Sequence, residues 1–441
     1  VNPADSVVSP EELATGRSAL RKASLRLIPL IAFGYCAAYM DRVNISFAAA
    51  QMNRDLHFSA SIYGLGAGLF FVSYALCEVP SNLLLVRFGA RRWLSRIMLT
   101  WGLIAMAMMF VRTPVQFYCM RFLLGIAEAG FFPGVVFYLT EWFPPEHRAR
   151  VISRFYIALP LASTVMGSLA GGLLALNGKL SLAGWQWLFL VEGVPPLILS
   201  VLFWRYLPDA PQDAAWLTDR ERIWLQGELR SAAAHTLQST HIGADLRAVL
   251  RDKRIWLIGV FYLCELTVLY GWAFSAPVIL QSLTGLTVGR VGSLIAGMGV
   301  LGAVAMLLNA RHSDRTHERP LHIVLPCLLM AAGFTVGGLT LHPLLAVAAF
   351  TLTVIAYNAA QGPSLAMPSA FLSGRTSAIG YAVINGIAMV GGFVGPYWMG
   401  RARDLTGDYQ RGLLTLAVPC VLAAMLIYIL KVTNRPEESN S

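Results

Sequence analysis

The stretch LIPLIAFGYCAAYMDRVNISF, Leu27 to Phe47, sets the class of this 441-residue chain. It runs 21 residues with charge only at Asp41 and Arg42. A helix rises 1.5 Å per residue, so about 20 mostly apolar residues cross the roughly 30 Å hydrocarbon layer of a bilayer. Residues at its two ends agree with that reading. Before it lies a polar lead of about two dozen residues, which with the length of the stretch predicts a retained span rather than a cleaved leader.

Working outward, the same pattern recurs eleven times. Ile62 to Val86, Trp93 to Val111, Val115 to Trp142, Val151 to Ala175 and Trp187 to Tyr206 complete a first six. Ile255 to Leu283, Val291 to Ala310, Leu321 to Leu341, Leu344 to Leu372, Ala378 to Met399 and Leu413 to Leu430 form a second. Each is continuously apolar, whereas strands of a membrane barrel alternate with a period of two over about ten residues. With 13% charged and 56% hydrophobic residues and a mean hydropathy of +0.60, the chain is too apolar for a water-exposed surface. The fold class expected is therefore an all-α integral membrane protein with twelve transmembrane helices in two six-helix halves.

A formal net charge of +10 invites a nucleic-acid partner, but the placement of the basic residues answers otherwise. Arg54, Arg112, Lys179, Arg290, Arg401, Arg403 and Arg411 fall in the loops of one side, and Arg42 and Arg121 lie within spans. The other 25 fall on the side of the termini. Positively charged segments stay in the cytoplasm, so both termini are expected there, in a bacterial inner membrane with lipid around the spans and no nucleic-acid partner. The expected organisation is a cytoplasmic tail over 1–26, a six-helix bundle over 27–206, a cytoplasmic linker over 207–254, a second bundle over 255–430 and a tail over 431–441. Within the linker, Thr218 and Glu221 have capping-box spacing.

Punctuation repeats between the halves. Arg87 and Arg315 are 228 residues apart, as are Gly167 and Gly395, and Pro133 and Pro363 are separated by 230. Two bundles related by an axis along the membrane normal would place a substrate path between them.

Charges inside a bilayer cost roughly 2.5 to 3.5 kcal/mol on insertion scales, so each needs a partner or a task. Depth counting puts Asp41, Arg42 and Arg121 in one layer near the outer end, with Glu128 two turns deeper. Arg121, Gly125 and Glu128 share one face of the fourth span at i, i+4 and i+7. A guanidinium fork suits a substrate carboxylate, and a buried carboxylate can take up or release a proton. The plainer alternative is an Asp41 to Arg121 ion pair that only ties two helices together. Further candidates for a substrate pocket, by estimated depth, are Tyr39, Tyr74, Tyr270, Trp272, Asn358, Gln361, Ser364 and Asn385. Glu78, Glu192 and Glu265 also lie within spans with no basic residue at their depth.

Several patterns carry no chemistry. Cys36, Cys77, Cys119, Cys264, Cys327 and Cys420 lack zinc-ligand or CxxC spacing. His317, Glu318 and His322 read HExxxH, but Pro320 intervenes and the spacing is wrong for a zinc face. Gly64, Gly66 and Gly68 sit in an apolar span with no strand before them, which favours close helix packing over nucleotide binding. No metal, no bound cofactor and no enzymatic activity are expected.

Taken together, the basic loops VRFGARR and RHSDR resemble the signature of the major facilitator superfamily, with Asp314 and Arg315 fitting its acidic and basic pair and Val86 standing where the first copy would have its acid. YMDRVNIS (Tyr39 to Ser46), VPSNLLLVRFGARRW (Val79 to Trp93) and MRFLLGIAEAGFFPG (Met120 to Gly134) resemble the anion:cation symporter family. GWQWLFLVEGVPP (Gly184 to Pro196) and INGIAMVGGFVGP (Ile384 to Pro396) are similar to its tartrate, 4-hydroxyphenylacetate and phthalate carriers. That resemblance implies a monomeric carrier importing a small organic carboxylate anion with protons as the coupling ion. It also implies protonation at Asp41 and Glu128, and anion binding or its coupling at Arg42 and Arg121. Proton-coupled efflux of amphipathic compounds and a membrane ligand sensor are the competing expectations.

Overall fold

The computed structural model describes residues 10–148, 151, 158–234, 247, 249–316, 318–368 and 376–433. Helices of the first half are α1 (Pro10–Asp55), α2 (Ala60–Phe88), α3 (Ala90–Ala107), α4 (Pro114–Glu128), α5 (Phe131–Thr140), α6 (Ala158–Leu174), α7 (Gly184–Glu192) and α8 (Val194–Tyr206). The linker carries α9 (Asp219–Ala234). The second half comprises α10 (Lys253–Thr284), α11 (Val288–Thr316), α12 (Leu321–Leu339), α13 (Pro343–Ala366), α14 (Thr376–Thr406) and α15 (Gln410–Thr433). No strand occurs among the described residues.

Eleven helical stretches are long and apolar enough to cross a membrane, and the shorter apolar helix Val165–Leu174 lies where the fifth span is expected. Two spans are built from two helices each. The fourth breaks between α4 and α5 at Gly130, which adopts φ +83° in the left-handed region that only glycine enters freely. The sixth breaks at Gly193, ahead of Pro195 and Pro196, which cannot continue a backbone ladder. A break inside a membrane is tolerated where protein surrounds it or a cavity needs it.

Helix α1 is 46 residues long, so the lead before Leu27 is helical from Pro10 and continuous with the span. Its projecting turns pack on the linker. The Trp224 ring lies against Gly16, and Glu221 accepts hydrogen bonds from Ser18 (2.6 Å) and Lys22 (2.8 Å). The capping box forms as its spacing predicts: Thr218 N donates to Glu221 at 2.9 Å and Glu221 N to the Thr218 hydroxyl at 3.3 Å. Burial opposes ionisation of Glu221, yet the bonds from Lys22, Ser18 and Thr218 outweigh it and hold its carboxyl at about 2.

Two hydrophobic cores form, one centred in the first half that also takes in Tyr270 and Phe274, the other within the second half. The halves meet at the end distal to the termini. Gly167 and Gly171 of α6 lie against Gly292 and Gly289 of α11, while Gly64 and Gly68 of α2 face Pro396 and Phe393 of α14. The GxGxG of span two is therefore a packing surface, as its apolar setting predicts. Asp404 at the end of α14 accepts from Ala60 N (3.0 Å) and Ser61 N (2.8 Å), capping α2 from the opposite half. Tyr63 also donates to the Phe274 carbonyl at 3.1 Å. Backbone contacts and a charge on a helix start seal this end.

Candidate substrate and coupling site

Two arginines of the first half meet over one aromatic ring. Phe70 of α2 is fully buried, and the guanidinium carbons of Arg42 and Arg121 lie 5.4 Å and 5.0 Å from its centroid. Arg42 also sits 5.4 Å from the Tyr74 ring, and its Nη1 donates to the Tyr270 hydroxyl of the second half at 3.4 Å. Its Nη2 pairs with Glu128 Oε1. Side-chain exposure is 17% for Arg42 and 1% for Glu128, so the pair is buried on the acid side and open on the base side.

Depth counting expects Glu128 two turns from Arg42, and the structure joins them. The long arginine side chain spans the gap, and Glu128 ends α4 at the Gly130 break. Asp41 and Arg42 are neighbours in sequence, but successive helical residues point about 100° apart. Asp41 thus turns into its own half, where Oδ2 accepts from Trp101 Nε1 (2.7 Å) and Oδ1 from Asn44 Nδ2 (3.2 Å). The plainer alternative, an Asp41 to Arg121 ion pair, does not form; among the described residues the basic partner found for an intramembrane acid is Arg42 on Glu128.

Arg121 is the outlier. It is 0% exposed, its Nε donates only a long 3.4 Å bond to the Gly66 carbonyl, and Nη1 and Nη2 have no hydrogen-bond partner. Glu128 Oε2 is likewise without one. Buried polar groups are normally satisfied, so the free outer fork of Arg121 marks a candidate ligand contact.

The weaker candidates divide. Tyr74 and Tyr270 border Arg42, and Tyr270 packs 4.2 Å from Phe71 across the halves. Tyr39 is half-buried and close to Tyr357 of the second half. Gln361 Nε2 donates to Glu265 at 3.4 Å, and Asn385 Nδ2 donates to both oxygens of Glu78, at 3.1 Å and 3.0 Å. Trp272 is turned away: its ring lies 4.5 Å from Phe350 and 6.1 Å from Phe334 in the second core, since two positions beyond Tyr270 is the opposite helix face. Asn358 donates to Val354 O (2.8 Å) against Gly302, and Ser364 to Ala360 O (2.7 Å), so both are satisfied within their own helix. Depth locates a residue along a span but not around it.

Sequence reasoning missed Trp101 and the Glu78 to Asn385 bond. A buried indole N–H in an apolar span usually finds an acceptor, and that is the signal that points to Trp101. His312 Nδ1 lies 2.6 Å from His322 Nε2, while His317 lies outside the described residues. No group of three metal-ligating side chains occurs among the described residues.

Comparison with known proteins gives a consistent result. Residues 31–396 match the family model "Major Facilitator Superfamily". The chain is 44% identical over 412 residues to a protein of Agrobacterium vitis named "Putative tartrate transporter", covering 93% of this chain and 91% of that one. It is 37% identical to the "Quinolone resistance transporter" of Acinetobacter baumannii, covering 94% and 95%. Among solved structures, the bacterial homologue of human Spinster in an inward-facing, unoccupied conformation superposes with a TM-score of 0.78 at 16% identity, over 98% and 100% of the chains. The sealed end, the paired bundles and these matches agree: the chain belongs to the major facilitator superfamily, and it is a multi-pass membrane transporter, not an enzyme.

Proposed function

We propose that the protein imports a small organic carboxylate together with protons by alternating access. The observation that carries this is the free outer fork of buried Arg121 beside the Arg42 to Glu128 pair. An anion is the natural ligand for such a fork. Protonation of Glu128 removes the charge that holds Arg42, so proton arrival and anion arrival favour each other. Asp41, held by Trp101 and Asn44, serves as a second proton site, and Tyr39, Tyr74, Tyr270, Gln361 and Asn385 border the bound acid. The bundles 27–206 and 255–430 then rock about the bound anion, with termini and linker in the cytoplasm of a bacterial inner membrane, as the basic-residue bias indicates. Relatives named for tartrate transport support an acid of that kind, such as tartrate or an aromatic acid.

The test is pH-driven accumulation by purified protein in liposomes, measured separately from substrate exchange, for Asp41→Asn and Glu128→Gln. Accumulation should fall at least about tenfold while exchange persists. Unchanged accumulation in both variants would sink the idea. Efflux of amphipathic compounds is the second reading, favoured by the relative named for quinolone resistance. Cells expressing an exporter would hold less of such a compound, where an importer would take up carboxylate faster under an inward proton gradient.

A further inference from the structure

Glu78 is an acid that the proposed coupling scheme leaves unused. It lies on α2 one helical turn from Tyr74, so both side chains look the same way, and Tyr74 stacks on Arg42. It is half-buried, and no basic side chain among the described residues pairs with it. What holds it is the Asn385 amide, reaching across from the other half to both carboxylate oxygens. Its electrostatic neighbours are Arg42, already engaged by Glu128, and Tyr74.

A carboxylate has about four acceptor sites, and the Asn385 amide, donating to each oxygen, leaves about half of them free. A second carboxylate brought to this wall would meet a like charge at short range, whereas a hydroxyl would donate to it. Resting on the carboxylate-import reading, we infer that Glu78 is a specificity-determining residue that accepts a hydrogen bond from a hydroxyl on the substrate, selecting hydroxylated acids over unhydroxylated ones of equal length. The substrate carboxylate turns toward Arg121 and Arg42, and the hydroxyl toward Glu78. Asn385 acts as the positioning residue, holding the Glu78 carboxylate across the gap between the halves. A site built to hydrogen-bond a substrate hydroxyl rejects the analogue lacking it, because its own polar group is then left unpaired.

The experiment measures binding by calorimetry, in lipid nanodiscs, for two matched pairs: tartrate against succinate, and 4-hydroxyphenylacetate against phenylacetate. In at least one pair the unsubstituted protein should favour the hydroxylated member by about tenfold or more, and Glu78→Met, which removes the acceptor, should bring that ratio to within about threefold. Asn385→Ala should weaken binding but keep the preference, since the acceptor remains. A preference that survives Glu78→Met, or that is lost only in Asn385→Ala, overturns the assignment. So does a preference for succinate over tartrate, the behaviour of a protonated Glu78 donating to a second carboxylate. Equal binding within both pairs defeats this inference alone, while no binding of any of the four acids defeats the carboxylate reading with it.

Discussion

The two halves share a fold but not an interior. The first half places two guanidinium groups over Phe70, pairs Arg42 with Glu128, holds Asp41 on Trp101, and leaves Arg121 unsatisfied at its outer fork. At the corresponding depth the second half offers tyrosines, amides and one acid, Glu265, whose Oε2 accepts from Gln361 and whose Oε1 has no partner. Charge is concentrated on one side of the path. The other side supplies mainly neutral hydrogen-bonding groups.

The comparison breaks most decisively at Arg121. A buried guanidinium without partners costs folding free energy, so Arg121→Met should raise the Tm by a few degrees while weakening anion binding about 100-fold, or roughly 2.7 kcal/mol. Thermal unfolding and calorimetry on the same samples check both arms. A lower Tm would mean that Arg121 is a structural strut. A smaller effect sharpens the contrast from the other half: Glu265→Gln should leave pH-driven accumulation within about threefold, because the acid there is held by an amide and not by a cation. Loss of accumulation would place a proton site in the second half after all.

The smallest effect is expected outside the membrane, where Glu221 clasps α1. Its folded pKa of about 2 lies below the usual value near 4.3, so its contribution is fully present above that range and is lost as pH falls toward 2. Glu221→Gln should lower the Tm by a few degrees at pH 7, with the difference shrinking below about pH 4. A constant difference across that window would show that the clasp does not depend on charge.

Much of the fold was legible because a bilayer imposes a simple rule, that each span be long, apolar and helical. Span positions, the halves, the capping box at Thr218 and the packing role of Gly64 and Gly68 all follow from local pattern. The site was legible as a set of residues and less so as a set of pairs. Depth counting puts Asp41 in a layer with Arg121, but it faces Trp101, and puts Trp272 in the pocket, but it packs on Phe350. Rotation about a helix axis decides such contacts, and depth counting carries no information on it.

Length, hydropathy and the cost of an intramembrane charge determined the membrane class, the twelve spans and which charged residues stand in need of a partner, since these depend only on what solvent each segment can tolerate. Tertiary structure alone decided who meets whom. It joined Arg42 to Glu128, left the Arg121 fork free, and set Glu78 against Asn385, residues 307 apart in the chain, because such contacts arise from how separate helices pack, within a bundle and between bundles, and not from any pattern within one helix.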